Sequence, residues 1–156
     1  KIADAKALIT LLHLRNIAEK NNFNFSIVSE ILDVKDKELA EVTKADDFIV
    51  SNKLISLLIS QLSENKELKS VFDDLFNADG SEIYLKPASN YIAPGSTVDF
   101  YTVLESAAQK GHVAIGYRIV KHSFDVEKAY GVKINPNKSD KITLTENDKI
   151  IVLAED

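Results

Sequence analysis

Apolar positions fall three and four residues apart through most of the first half of the chain and alternate through much of the second. Helices are therefore predicted to dominate one half and strands to be frequent in the other. Ala5, Leu8, Ile9, Leu12 and Ile17, broadened by Leu11 and Leu14, mark a first helix ending near Asn21-Asn22. The run from Phe25 to Ile31 predicts a strand, Lys35 to Thr43 a short polar helix, and Phe48-Ile49-Val50 a buried strand. Ser51 then stands as a helix N-cap. The helix that follows carries Leu54, Ile55, Leu57, Leu58, Ile59 and Leu62, which at about 100° per residue cover roughly 200° of its surface. One packed face needs less than that. Ser56, Ser60 and Ser63 occupy most of the remainder, so the helix is expected to touch its own sheet and a second body, either another lobe or another subunit.

Leu68, Val71, Phe72, Leu75 and Phe76 share the stripe of one more helix, and Asn77-Ala78-Asp79-Gly80 closes the helical half with turn residues. A boundary placed there gives lobes 1–79 and 80–156. Alternating helices and strands in the first lobe predict an α/β arrangement with a parallel, Rossmann-like sheet, present only in part because no strand precedes the first helix. In the second lobe, Glu82 to Pro87, His112 to Val120, Gly131 to Ile134, Lys141 to Leu144 and Lys149 to Leu153 predict strands. Ser96 with Asp99 resembles a capping box for a helix running to Lys110 and stopping at Gly111. The second lobe is thus a small α+β unit.

Composition narrows the function classes. Of 156 residues, 19 are Lys or Arg and 24 are Asp or Glu, for a formal charge of −5 without a basic block; nucleic acid is not an expected partner. Cysteine is absent, which removes disulfides, thiolate metal sites and cysteine nucleophiles. Methionine is absent too, and the expectation is a piece of a longer protein. The apolar runs are far short of the roughly 20 residues of a membrane-spanning helix, and the N-terminal stretch is an amphipathic helix rather than a signal peptide.

The segment from Ile27 to Asn65, followed by Val71 to Phe76 and by Gly80 to Pro87, resembles the later half of the nucleotide-binding-like lobe of RCK (KTN) domains, closest to the CASTOR/POLLUX-related ion-channel group. Ala114 to Arg118, Ile134 to Pro136 and Leu144 to Asp156 are similar to the smaller C-terminal lobe of that architecture. The resemblance implies a regulatory module on the cytoplasmic side of a membrane ion channel or transporter, joined to a pore domain, assembling as a homo-oligomer and responding to ions or nucleotides. It implies that Leu54, Leu57, Leu58 and Leu62, with Val71, Phe72, Leu75 and Phe76, line a subunit interface. One departure stands out. The glycines at 80, 95, 111, 116 and 131 form no G-x-G-x-x-G loop, so a dinucleotide phosphate has no cradle in this segment.

Candidate chemistry is sparse. Asp73, Asp74, Asp79 and Glu82 could offer oxygens to a hard cation such as Ca²⁺, although without EF-hand spacing, and they compete with a reading as solvated carboxylates. Glu30 sits near the C-terminal end of a strand, where open α/β sheets bind ligands, and could equally pair with a nearby lysine. His13, His112 and His122 are scattered. His122, Ser123 and Asp125 supply hydrolase residue types, but sequence neighbours do not by themselves converge into a triad, and no G-x-S-x-G is present. The expectation is therefore no enzyme activity.

Overall fold

The computed structural model describes residues 2–23, 25, 27–32, 47–77, 79–123 and 125–155. The short helix expected over Lys35 to Thr43 lies outside the described residues. The chain divides into two compact units, 1–69 and 70–156, whereas the sequence reading sets the boundary at the 79–80 turn.

In the first unit, α1 spans Ile2–Asn21, β1 Val28–Ile31, β2 Asp47–Val50 and α2 Ser51–Glu64. β1 and β2 pair in parallel, with Ile31 opposite Val50. The fold is mixed α/β as expected, but the Rossmann-like extent is not seen: among the described residues that sheet has two strands, and antiparallel pairing dominates the rest of the chain. The packed face of α1 also differs from the predicted stripe. Asp4, Leu11 and Ala18, seven residues apart, are buried, while Ile9, Leu12 and Ile17 are exposed. Apolar residues are spread round α1 instead of keeping to one amphipathic stripe, and the packed face includes Asp4, whose Oδ1 accepts a hydrogen bond from the Leu32 backbone at 3.2 Å, just beyond β1.

Helix α3, Leu68–Leu75, crosses the division between units. The second unit then holds β3 (Glu82–Pro87), β4 (Thr97–Asp99), α4 (Phe100–Ala108), β5 (Val113–Arg118), β6 (Val132–Ile134), β7 (Lys141–Thr143) and β8 (Lys149–Ala154). Its main sheet has the order β3-β8-β5-β6, with each neighbouring pair antiparallel, and β4 pairs separately with β7. The capping box expected at Ser96 is displaced. Thr97–Asp99 is a strand, and Asp99 itself caps α4 by accepting from the Thr102 backbone N–H at 3.0 Å. The Ser96 hydroxyl instead donates to the Ala93 carbonyl.

The core lies between α4 and one face of this sheet. Phe100, Val103 and Ala107 are spaced so that they share one side of α4, and all three are buried. They belong to the same apolar cluster as Ala114, Tyr117, Ile150 and Val152. The chain after β3 is held by Tyr91, whose hydroxyl lies 2.9 Å from His112 Nδ1 and whose carbonyl accepts from Ser106. Gly116 permits the close approach of β6, since a side-chain carbon there would collide with the Lys133 carbonyl. Burial of this kind contributes about 1.5–3 kcal/mol for each large side chain.

Candidate functional site

The most distinctive surface is the apolar one on α2. The helix follows β2 directly and continues the chain without a break. Two of its serines bond back to the helix: Ser56 Oγ donates to the Asn52 carbonyl and Ser63 Oγ to the Ile59 carbonyl, each at 2.8 Å. Such back-bonding lets a polar residue sit in a face that is not turned to water. Yet no residue of α2 is buried. Leu54, Ile55, Leu57 and Ile59 are exposed, Leu57 by 55%, while Leu58 and Leu62 are half-buried. On α3, Val71 is exposed and Phe72 and Leu75 are half-buried; Phe76, just past its end, is 65% exposed and stacks on Phe72 with ring centroids 6.2 Å apart. Of the eight side chains that the sequence reading nominates as an interface, Leu54, Leu57, Val71 and Phe76 are thus exposed and the other four half-buried.

The acidic positions behave differently. Asp73 and Asp74 are successive residues of an α-helix, so they leave its surface about 100° apart. Glu82 begins β3 and accepts at 2.7 Å from the Tyr84 hydroxyl. Asp79 lies in the turn between them, its backbone N–H donating to Asn77 Oδ1. Among the described residues, no group of three or more His, Asp or Glu side chains could hold a metal ion. These four carboxylates are close in sequence but not gathered in space. Glu30 is exposed on β1 opposite Ile49. His13 is exposed on α1, and His112 is engaged with Tyr91.

The carboxylate that organises its surroundings is Asp148, which sequence reading places only inside the closing motif. It is 4% exposed. Oδ1 accepts from the Val120 backbone at 2.8 Å, and Oδ2 accepts from both the backbone N–H and the hydroxyl of Thr145. Its own carbonyl accepts from the Ala88 backbone at 2.9 Å. Burial raises its pKa, but the hydrogen bonds from Thr145 and Val120, with the charge of Lys121, outweigh burial and leave it below the usual aspartate value. Asp148 ties together the segments after β3, after β5 and before β8; its role is architectural. A turn-forming Glu-Asn-Asp-Lys ahead of a continuous apolar strand was the available signal.

No protein-family model matches the chain. Its curated relatives are ion channels. The probable ion channel POLLUX of Arabidopsis thaliana is 33% identical over 127 residues, covering 81% of this chain and 15% of the relative. The probable ion channel CASTOR of Oryza sativa subsp. japonica is 32% identical over 130 residues, covering 83% and 14%. The ion channel CASTOR of Lotus japonicus is 28% identical and covers 98% of this chain and 20% of its own length. Among solved structures, the GsuK channel aligns with 96% of this chain and 23% of its own, at 14% identity and a TM-score of 0.37; a likeness that weak bears no weight. The chain is therefore homologous to a segment of ion-channel proteins rather than of enzymes. The group is CASTOR/POLLUX, as the sequence resemblance implies, and the chain spans about 15% of the length of the relatives it matches. Among the described residues no helix is long and apolar enough to cross a membrane.

Proposed function

We propose that this chain is a cytosolic regulatory module of RCK type, which assembles into a homo-oligomer through α2 and α3 and passes its geometry to the pore of a cation channel. The observation that carries the reading is α2: a helix with six large apolar side chains and none of them buried, in a chain whose relatives are ion channels. An apolar patch of this breadth on a monomer marks an interaction surface, and homo-oligomers bury such patches symmetrically. Regulation would follow by population shift, an ion or nucleotide favouring one arrangement of the subunits over another. The 73–82 carboxylates are the calcium candidates within that scheme, and Glu30 the candidate for a strand-end ligand.

The test is substitution of exposed positions on α2. Leu57→Asp in the channel's full-length chain should lower the assembled mass of its cytosolic part and remove ligand-dependent gating while the pore still conducts. Unchanged assembly would remove the reading. A constitutive assembly role without sensing predicts the same loss of mass but no ligand response in the parent channel.

A further inference from the structure

Two neighbouring strands of the main sheet place like charges side by side. In the antiparallel pairing of β5 with β8, Arg118 stands directly opposite Lys149, and Pro87 and Val132 complete that row across β3 and β6. Residues directly opposite on one face have Cβ atoms about 4.5–5.5 Å apart, and like charges so placed destabilise a sheet. Both side chains are half-buried, where salt screens their repulsion less than at an open surface. Among the described residues no ion pair engages either one. Arg118 Nε is in addition a buried atom without an acceptor, and a buried donor left unpaired carries the full cost of its lost hydration. The two observations are independent, and both point to a negative group at this place.

The nearby carboxylates do not supply it. Asp148 adjoins Lys149 in sequence, but its oxygens accept from the backbone N–H groups of Val120 and Thr145 and from the Thr145 hydroxyl. The cation whose charge acts on Asp148 is Lys121. Asp125 pairs with Lys128, and Asp140 with Lys133.

The missing group has a definite chemistry. A guanidinium presents its N–H groups as a planar fork that matches two oxygens of one anion, and an ammonium adds a point charge beside it. Among the described residues no hydrogen bond holds the Arg118 guanidinium, so rotation about its outer torsions turns Nε toward a ligand. A carboxylate would neutralise only one of the two facing cations. A phosphate monoester, with about −1.5 to −2 charges at pH 7, neutralises both. The next row of the same face is apolar: Leu85 and Ile134, 45% and 55% exposed, flank Ile151 and Gly116. The organic body carried by the phosphate therefore finds apolar cover beside the cations.

We propose that Arg118 and Lys149 form a binding site for a phosphate monoester, Arg118 gripping two of its oxygens and Lys149 balancing its charge, with Leu85 and Ile134 against the rest of the ligand. The site lies in the second unit and does not depend on assembly through α2.

The test is thermal melting of the 156-residue chain in inorganic phosphate against chloride at equal ionic strength, for the parent, Arg118→Gln and Lys149→Gln. Phosphate stabilises folded chains generally by exclusion from their surfaces, whereas a site adds a rise that follows ligand occupancy. The difference between parent and variants is therefore the readout. Each variant should bind phosphate at least about tenfold more weakly, the loss of one charged hydrogen-bonding partner. Arg118→Lys, which keeps the charge and removes the fork, should also bind more weakly than the parent. In chloride, Lys149→Gln should melt no lower than the parent, because it relieves the repulsion with Arg118. Glycerol 3-phosphate in one arm, and phosphatidylcholine vesicles with and without phosphatidate in the other, separate a soluble ester from a lipid headgroup: the source is the one whose binding is lost in Arg118→Gln. Parent and both variants responding alike to every one of these ligands would overturn the proposal. So would a Lys149→Gln chain that melts well below the parent in chloride, since Lys149 would then hold the fold rather than a ligand.

Discussion

Helices α2 and α4 are both rich in apolar residues and meet opposite fates. In α4, Phe100, Val103 and Ala107 disappear into the core of the second unit; in α2, six large apolar side chains leave not one residue buried. The difference is one of breadth. A helix with a single stripe is satisfied by one sheet, and Asp99 at its N-terminus and Gly111 beyond its C-terminus define where it starts and stops. A helix apolar over two hundred degrees or so has more surface than one sheet can cover. The first builds the core of its unit, and the second is the surface through which assembly is proposed.

That contrast can be broken at several points, and the largest effect belongs to the packed side. Phe100→Ala should destabilise the second unit by about 3–5 kcal/mol, since it removes a side chain with 1% exposure from the core; chemical denaturation would measure it. Asp148→Ala comes next, at about 1–3 kcal/mol, because it removes the acceptor of the part-buried backbone donors of Val120 and Thr145. The pH dependence has a definite sign. The folded pKa of Asp148 is depressed, so its contribution is fully present above the unfolded value of about 3.9 and is lost as pH falls through the lower folded value. Asp148→Asn should flatten that acid limb, and an unchanged limb would assign acid unfolding to other carboxylates.

On the open side, Leu57→Asp should cost the fold only about 0.5–1 kcal/mol, a helix-propensity and surface effect, although its side chain matches that of the buried Leu144 in size. A loss comparable to that of Phe100→Ala would mean that α2 is covered within its own chain. The smallest expected effect is that of calcium. The carboxylates of Asp73, Asp74, Asp79 and Glu82 are not gathered in this arrangement, so millimolar Ca²⁺ should leave the melting midpoint of the isolated chain in place. A rise that disappears in the Asp79→Asn, Glu82→Gln double variant would restore those residues as a cation site.

Much of the fold was legible where a pattern had only one reading. Strand β3 was bounded at Glu82 and Pro87 from alternation alone, and α2 and α3 followed from their apolar spacing. Ambiguity arose where one pattern served two structures. Ser96 and Asp99 carry capping-box spacing, but the three residues from Thr97 pair with β7, so the cap shifts to Asp99. In α1 apolar residues are spread round the helix, and the packed side includes a polar one, Asp4, bonded to the Leu32 backbone. The acidic positions stand close in sequence, which is not proximity of side chains, and among the described residues no three of them gather. Asp148 was hard to single out because its partners come from Thr145 nearby and Val120 far away, and only the fold joins them.

The central claim is that α2 is an assembly surface, and the most direct measurement is the solution mass of the wild-type chain beside Leu57→Asp over a range of concentrations, with melting recorded for both. The account predicts an oligomer for the wild type and a smaller species for the variant, with nearly equal melting midpoints. A wild-type chain that stays monomeric throughout, or a variant that assembles as the wild type does, would contradict it.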